Sequence, residues 1–364
     1  MVIVFGITAG ISFLYFISGT LSSHEYVAGV AATTSEKTSI VIPTLDKALY
    51  NEKMIALANN PAPKISASST EATSTPPLPV SSDTVSVRIP NKPWPVAGAY
   101  PKEGALLPFN RILAYYGNFY STKMGVLGEY PPDQMLKMLK AEVAKWNAAD
   151  PSTPAIPAIH YIVTTAQGSP GKDGMYRLRM PDEHIQKAID LAKEVDGIVF
   201  LDVQVGLSNL QAELAPLEQY LKLPNVHLGI DPEFSMKTGA KPGSVIGTFN
   251  SDDINYATNF LAKIVKENNL PPKVLVIHRF TTRMVTGSEN IKLLPEVQIV
   301  MDMDGWGPQA QKLRTYRDIV VDEPVQFTGF KLFYKHDLLP PSTGILTPEQ
   351  LLKLTPRPIY IQFQ

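Results

Sequence analysis

The 364-residue chain contains no cysteine. That excludes disulfides, a thiolate metal site, a thiol nucleophile and a lipid-modified cysteine, and it fixes nothing about the compartment. An excess of either charge is lacking as well: 33 Lys and Arg stand against 34 Asp and Glu, for a net charge of −1. No basic block stands out. Binding to a phosphate backbone needs a positive footprint, so nucleic acid is not an expected partner. No Gly-rich phosphate fingerprint follows the first strand-like run, which argues against a doubly wound nucleotide-binding sheet. Paired-histidine motifs such as HxH or HExxH are absent too, so no metal and no cofactor are expected from motif.

What is present falls into three parts. Residues 2–21, VIVFGITAGISFLYFISGTL, carry no charge and are long enough to cross a bilayer. No Lys or Arg precedes them, so the usual basic flank of a signal is missing. Ala28, Gly29 and Ala31 offer small residues to a signal peptidase. Many of the 32 prolines then crowd residues 61–108, which begin PAPKISASSTEATSTPPLPVSS and have little to bury. The expected organisation is a signal-anchor or signal peptide over 1–22, a disordered extracytoplasmic linker over 23–108 and a globular domain over 109–364. That places the domain on the outer face of the cell membrane, or makes it secreted if the first segment is removed.

From residue 109 the texture becomes a regular alternation. Eight short apolar runs, at 111–119, 155–163, 197–205, 226–234, 273–280, 297–305, 327–334 and 358–364, read as strands. Helical spacing fills the intervals at 131–150, 183–195, 210–222, 252–269, 307–320 and 347–354, and more weakly at 281–294. Strand–helix alternation makes a parallel sheet, and eight units over about 255 residues match a (β/α)₈ TIM barrel. The chain stops within the eighth strand, as though no final helix were needed or one upstream took its place.

The strand ends carry the chemistry. In LGIDPEF, residues 228–234, Asp231 and Glu233 stand two apart, and strand alternation would put them on one face about 6.6–7 Å from each other. Asp202 and Gln204 end strand three, His278 and Arg279 strand five, and Asp302 and Asp304 strand six. Lys331 lies in strand seven and Gln362 in strand eight. Tyr116 and Asn118 on strand one, and His160 on strand two, complete the ring. Trp306 lies in a Gly-Trp-Gly loop above strand six, and Tyr334 follows strand seven; Glu129 is an outside candidate on the same face. Ile198 and Phe200 share parity with Asp202, as inward positions should: apolar through the barrel and polar at its C-terminal mouth, where sites of this fold lie. A self-satisfied ion network is the bland alternative, and Asp302 or Asp304 could instead cap the following helix.

A mouth rich in carboxylates, with aromatics to stack a sugar ring, suggests glycan hydrolysis by a proton donor and a second carboxylate. Glu233 suits the donor, with Asp231 tuning it by like charge, and Asp302 or Asp304 the second group. Tyr116, Asn118, His160, Asp202, Gln204, His278, Arg279, Trp306, Lys331, Tyr334 and Gln362 would bind substrate. A non-catalytic glycan-binding barrel, a metal-assisted hydrolase of phosphoesters using Asp202, Asp231, Glu233, Asp302 and His278, and a Schiff-base enzyme using Lys331 remain alternatives.

Asp231-Pro232-Glu233 resembles the Asp-x-Glu that ends strand four in chitinase-type glycoside hydrolases, whose glutamate is the proton donor. Met301-Asp302-Met303-Asp304 looks like their strand-six Met-x-Tyr-Asp, and Tyr115-Tyr116-Gly117 is similar to their first strand. The pattern departs at Val226 and Gly229, where that family has further aspartates, at Met303, where it has tyrosine, and at Leu201-Asp202-Val203-Gln204, where it is Gly-rich. Over 109–364 the chain more closely resembles a group of bacterial secreted or lipoprotein-like TIM barrels through YYG, MGVLGE, LDVQ, DPE, VIHRF, MDMDG and GFKLFY. The first resemblance implies acid–base glycoside hydrolysis; the second implies the fold alone.

Overall fold

The computed structural model describes residues 42–60 and 94–364. The apolar run 2–21, the small residues at 28–31 and the Pro-rich stretch 61–93 lie outside the described residues. Among the described residues, no helix is long and apolar enough to cross a membrane.

Eight parallel strands close on themselves. They are β1 (Arg111–Gly117), β2 (Ala155–Ala166), β3 (Ile198–Val203), β4 (Val226–Ile230), β5 (Lys273–Arg279), β6 (Val297–Met303), β7 (Phe327–Leu332) and β8 (Tyr360–Phe363). Each pairs with its neighbours in chain order, and β1 pairs with both β2 and β8, so no edge is left open. The register sets Tyr116 beside His160, Asp202 beside Gly229, His278 beside Asp302, and Lys331 beside Gln362. Equivalent levels of the barrel therefore carry polar groups.

Two cores result from the alternation of side chains. Outward residues such as Leu113, Ile159, Leu201, Ile230, Ile277 and Met301 pack under the helices, against Leu136, Ile189, Ile254 and Leu261. Inward residues Ile112, Ala114, Ala158, Ile198, Phe200, Val274, Val276, Val300 and Phe327 fill the lower interior. Most expected helices are present: Pro132–Ala149, Asp182–Lys193 and Ser251–Glu267, the last opened by a capping box between Asn250 and Asp253. The expected helix over 210–222 is broken into Leu210–Leu214 and Glu218–Leu221 by a 3₁₀ turn at Pro216. Residues 281–294 are not helical. They form two 3₁₀ turns around a short strand, Val285–Thr286, which pairs with Phe249–Asn250.

The bottom of the barrel is sealed by residues that sequence reading assigned to the linker. Helix α1 (Lys47–Ala58) is capped by Asp46, whose side chain accepts from Leu49 N–H. It inserts Tyr50, Met54 and Leu57 against the lower interior. Its end is tied to the approach of β8, where Arg357 N–H donates to Leu57 O at 2.8 Å and Asn59 donates to Leu354 O at 2.8 Å. Residues 106 and 107 satisfy the inward-facing Gln298, which accepts both their N–H groups and donates to Leu107 O at 2.6 Å. The packed unit therefore begins well before residue 109, because an apolar barrel floor must be covered and this segment carries the side chains to do it.

Truncating the plug should be felt by the whole barrel. Met54→Ala is expected to lower unfolding free energy by about 2–5 kcal/mol, as for other buried methionines. Ile55→Ala, at a side chain 68% exposed, should stay within about 0.5 kcal/mol. Urea denaturation of the two variants checks this.

Candidate active site

Above the apolar floor the interior becomes polar at the level of Tyr360, His160, Asp202 and Asp302. Both Asp202 and Asp302 are fully buried, and glycines make room for them. A Cβ at Gly229 would lie 2.3 Å from Asp202 Oδ1 and 2.5 Å from His160 Nε2. At Gly329 it would lie 2.5 Å from Asp302 Oδ1. Those atoms belong to fully buried side chains with neighbours on every side, so neither position tolerates a side chain at no cost.

A continuous line of ionisable groups crosses the barrel. His160 Nε2 and His278 Nε2 both lie 3.3 Å from Asp202 Oδ1. On its other side His278 Nδ1 lies 3.0 Å from Asp304 Oδ2 and 3.7 Å from Asp302 Oδ2. Lys331 Nζ pairs with Asp304 Oδ1 at 2.9 Å and sits 3.9 Å from the centroid of the Tyr116 ring. The Tyr116 hydroxyl donates to Asp202 Oδ2 at 3.1 Å. His160 Nδ1 meets the Tyr360 hydroxyl at 2.6 Å, and Gln362 Nε2 donates to that hydroxyl at 2.8 Å.

The electrostatics sort the acids into two kinds. Burial opposes charge on Asp202, but His278 and His160 outweigh it and hold the carboxyl well below its usual range. Asp304 is likewise held low against burial, by Lys331 and then His278. Burial also disfavours the His278 cation, yet Asp202 and Asp304 keep it doubly protonated well above the ordinary histidine range. His160 goes the other way: burial lowers it to about 4, so it is neutral. In contrast, burial raises Asp302 to about 7 and Asp231 to about 7, against the attraction of His278. Carboxylates that stay ionised thus share one mouth with carboxyls that hold a proton near neutrality.

The structure brings together Tyr116, His160, Asp202, Gln204, Asp231, His278, Asp302, Asp304, Lys331 and Gln362. Gln204 belongs through Asp231, to whose Oδ2 its amide donates at 3.2 Å. Asp231 and Glu233 do not share a strand face as alternation implied. Strand β4 ends at Ile230, and Asp231 caps a 3₁₀ turn over Pro232–Phe234, accepting from Glu233 N–H at 3.0 Å. Glu233 is buried on that turn at the mouth. Tyr116 offers no stacking face to a ligand, because Lys331 covers its ring. Neither Asp302 nor Asp304 caps the next helix, whose N-cap is Pro308.

Other candidates lie elsewhere. Arg279, next to inward-facing His278, lies on the opposite face of β5 and binds Glu323 at 2.6 Å and the carbonyls of Thr282 and Val285. The Tyr334 hydroxyl meets Tyr115 at 3.0 Å and its ring stacks on Phe363, on the outer wall. Asn118 closes a turn, donating to Ile162 O and accepting from Tyr120 N–H. Glu129 is paired with Lys335 at 2.6 Å. Trp306 is partly exposed above the mouth, 5.6 Å from His336 ring to ring.

Tyr360, Gly329 and the pair Lys312–Asp337 were not singled out from sequence, and Gly229 entered only as a departure from the chitinase-type pattern. Tyr360 had a signal, since it shares parity with Gln362. Lys312 had none: it lies on the outer helix Gln309–Thr315 yet is buried, pairing with Asp337 at 2.8 Å and donating to Gly305 O and Lys331 O. Asp337 in turn accepts from Gly307 N–H and Phe333 N–H. This buried pair staples the Trp306 loop to the end of β7.

No protein-family profile and no curated protein matches the chain. Solved structures of similar fold include the cellulase Cel5C_n, 11% identical over 61% of this chain and 65% of that one, with a TM-score of 0.36. The chain therefore spans less than two thirds of that cellulase. PbGH5A, a glycoside hydrolase family 5 enzyme from Prevotella bryantii B14, is 11% identical over 73% of this chain and 91% of its own, with a TM-score of 0.39. A sugar phosphate isomerase/epimerase from Parabacteroides distasonis ATCC 8503 is 12% identical over 71% and 88%, with a TM-score of 0.32. At such values the likeness transfers no activity.

Breaking the staple should loosen the loop. Lys312→Met leaves Asp337 without its buried cation and is expected to cost about 3–5 kcal/mol. Trp306 is more exposed than Trp94 or Trp146, so iodide quenching of tryptophan fluorescence should rise in the folded variant; unchanged quenching and stability would remove the staple.

Proposed function

We propose that the barrel is a hydrolase of glycans, displayed outside the cytoplasmic membrane, working by carboxyl acid–base chemistry at its C-terminal mouth. One arrangement carries the reading: the buried carboxyl of Asp231, held at the mouth end of β4 by Gln204 Nε2 at 3.2 Å and Glu233 N–H at 3.0 Å, shares a ring of tips with Asp304, which Lys331 pairs at 2.9 Å, and burial favours the protonated form of Asp231. A proton donor near neutrality beside a fixed anion is what cleavage of a glycosidic bond requires. In this reading Asp231, rather than Glu233, is the first proton donor. Glu233 stays a mouth residue whose backbone N–H holds Asp231 in place.

The substrate class follows from the lining. Gln204, Asp304, Lys331 and Gln362 offer donors and acceptors suited to sugar hydroxyls, and the partly exposed Trp306 provides a flat apolar face. Support for the location comes from the sequence alone: the uncharged run 2–21 and the Pro-rich stretch after it suit a domain held away from a membrane.

Asp231→Asn should lower kcat/KM on a hydrolysed glycan about 10²–10⁴-fold while glycan-dependent thermal stabilisation persists. In the wild type, activity should fall as pH rises through about 7, because the donor must be protonated. His278, Asp202, Asp304 and Lys331 all bear on that titration, with Gln204 and Glu233 N–H as its hydrogen-bond partners. Full activity in Asp231→Asn removes it from the chemistry. Stabilisation across a glycan panel without product identifies a binding barrel instead.

A further inference from the structure

The arrangement of His160, Asp202 and His278 is hard to account for as an ordinary hydrogen-bonded network. All three side chains are fully buried. His160 Nε2, Asp202 Oδ1 and His278 Nε2 come together from three strands, yet none makes a hydrogen bond of acceptable geometry. The two 3.3 Å approaches are close, but the ring N–H directions miss the oxygen. Leaving three buried polar atoms in that condition is costly unless something else satisfies them.

The geometry points to a divalent transition-metal site, of the zinc class, held by His160 Nε2, Asp202 Oδ1 and His278 Nε2. Two distances fit. Metal bonds of about 2.0–2.1 Å in a tetrahedron set neighbouring donors about 3.3–3.4 Å apart. The structure has both nitrogens 3.3 Å from Asp202 Oδ1, and all three donor atoms lie within 4.8 Å of one another.

The far sides of two donors are anchored by hydrogen bonds and the third faces a carboxylate, as ligating side chains require. His278 Nδ1 faces Asp304 Oδ2 at 3.0 Å, His160 Nδ1 faces the Tyr360 hydroxyl at 2.6 Å, and Asp202 Oδ2 accepts from Tyr116 at 3.1 Å. With a metal on Nε2, each imidazole would keep its proton on Nδ1, His278 turned toward Asp304 at 3.0 Å and His160 donating to the Tyr360 hydroxyl at 2.6 Å. The ion displaces the proton that His278 otherwise holds on Nε2 toward Asp202, and that proton is released to solvent. Gly229 completes the design by leaving no side chain where Asp202 Oδ1 and His160 Nε2 meet.

Two nitrogens and one oxygen select a borderline ion over Mg²⁺ or Ca²⁺, which take oxygen ligands. Three protein donors leave a fourth position for water or a substrate oxygen. The site was not legible from motif spacing, because its ligands come from strands two, three and five. It does not depend on the glycan reading: metal binding and glycan turnover are measured separately, and either can fail alone.

The test uses the full-length chain, stripped with a chelator and titrated with Zn²⁺ or Co²⁺ alone. One equivalent of either ion should raise Tm, and Co²⁺ should develop the visible absorption of a low-coordinate nitrogen–oxygen site. Asp202→Asn and His278→Gln should each weaken binding at least tenfold, while His184→Ala, at a histidine outside the barrel, should not. Should either ligand variant fail to fold, the wild-type stoichiometry and Co²⁺ spectrum decide the matter. A wild type that neither gains stability nor develops that absorption overturns the site. So does binding that survives in both folded ligand variants, or equal stabilisation by Mg²⁺.

Discussion

Charge inside a closed barrel is the constraint on which the rest of this protein turns. Asp202 and Asp304 sit where water does not reach freely, and such anions persist only if cations meet them. His278 lies between the two, and Lys331 closes the far end. Neither cation comes from the strands that carry Asp202 and Asp304. The neutralisation therefore depends on closure: a barrel opened at β5 or β7 would strand two buried carboxylates.

Around that line the interior is graded along its axis. Below it the packing is apolar and plugged by α1; above it, the groups grow more polar toward the mouth. The transition falls at Tyr360 and His160, whose rings pack against Phe200 underneath while their polar atoms join the network above. Backbone without side chains makes the upper level possible. Gly229 and Gly329 lie beside Asp202 and Asp302 in the sheet register, and each cedes its volume to the neighbouring carboxylate.

The same grading separates the two groups of side chains proposed for function. Asp231 stands past the end of β4, tethered by Gln204 and the turn of Glu233. His160, Asp202 and His278 are fully buried, with their facing donor atoms within 4.8 Å of one another. Trp306 is kept over the opening by the buried Lys312–Asp337 pair beneath its loop. A rigid wall below and a stapled loop above are what a site needs when orientation matters more than adaptability.

Much of this was written in local pattern. Eight apolar runs, the helices between them and the inward parity of Ile198, Phe200 and Asp202 follow from side-chain alternation, which depends only on neighbours in the chain. The candidates Asp202, His278, Asp304 and Lys331 were found because they obey that parity at strand ends. Other features needed distant partners. Arg279 and Tyr334 carry attractive chemistry but sit one residue out of phase, on the outer wall. Asp231 and Glu233 were separated by one early strand end, where Pro232 denies the ladder a donor and Asp231 turns to cap. Helix α1 shows Tyr50, Met54 and Leu57 at positions i, i+4 and i+7, yet that short stripe gains meaning only once a barrel floor exists to receive it. Sequence alone thus determined which residues face inward, because that is a property of the strand. Which of them meet was decided by tertiary structure, because closure and register bring together atoms on different strands, which for His160 and Tyr360 lie 200 residues apart in the chain.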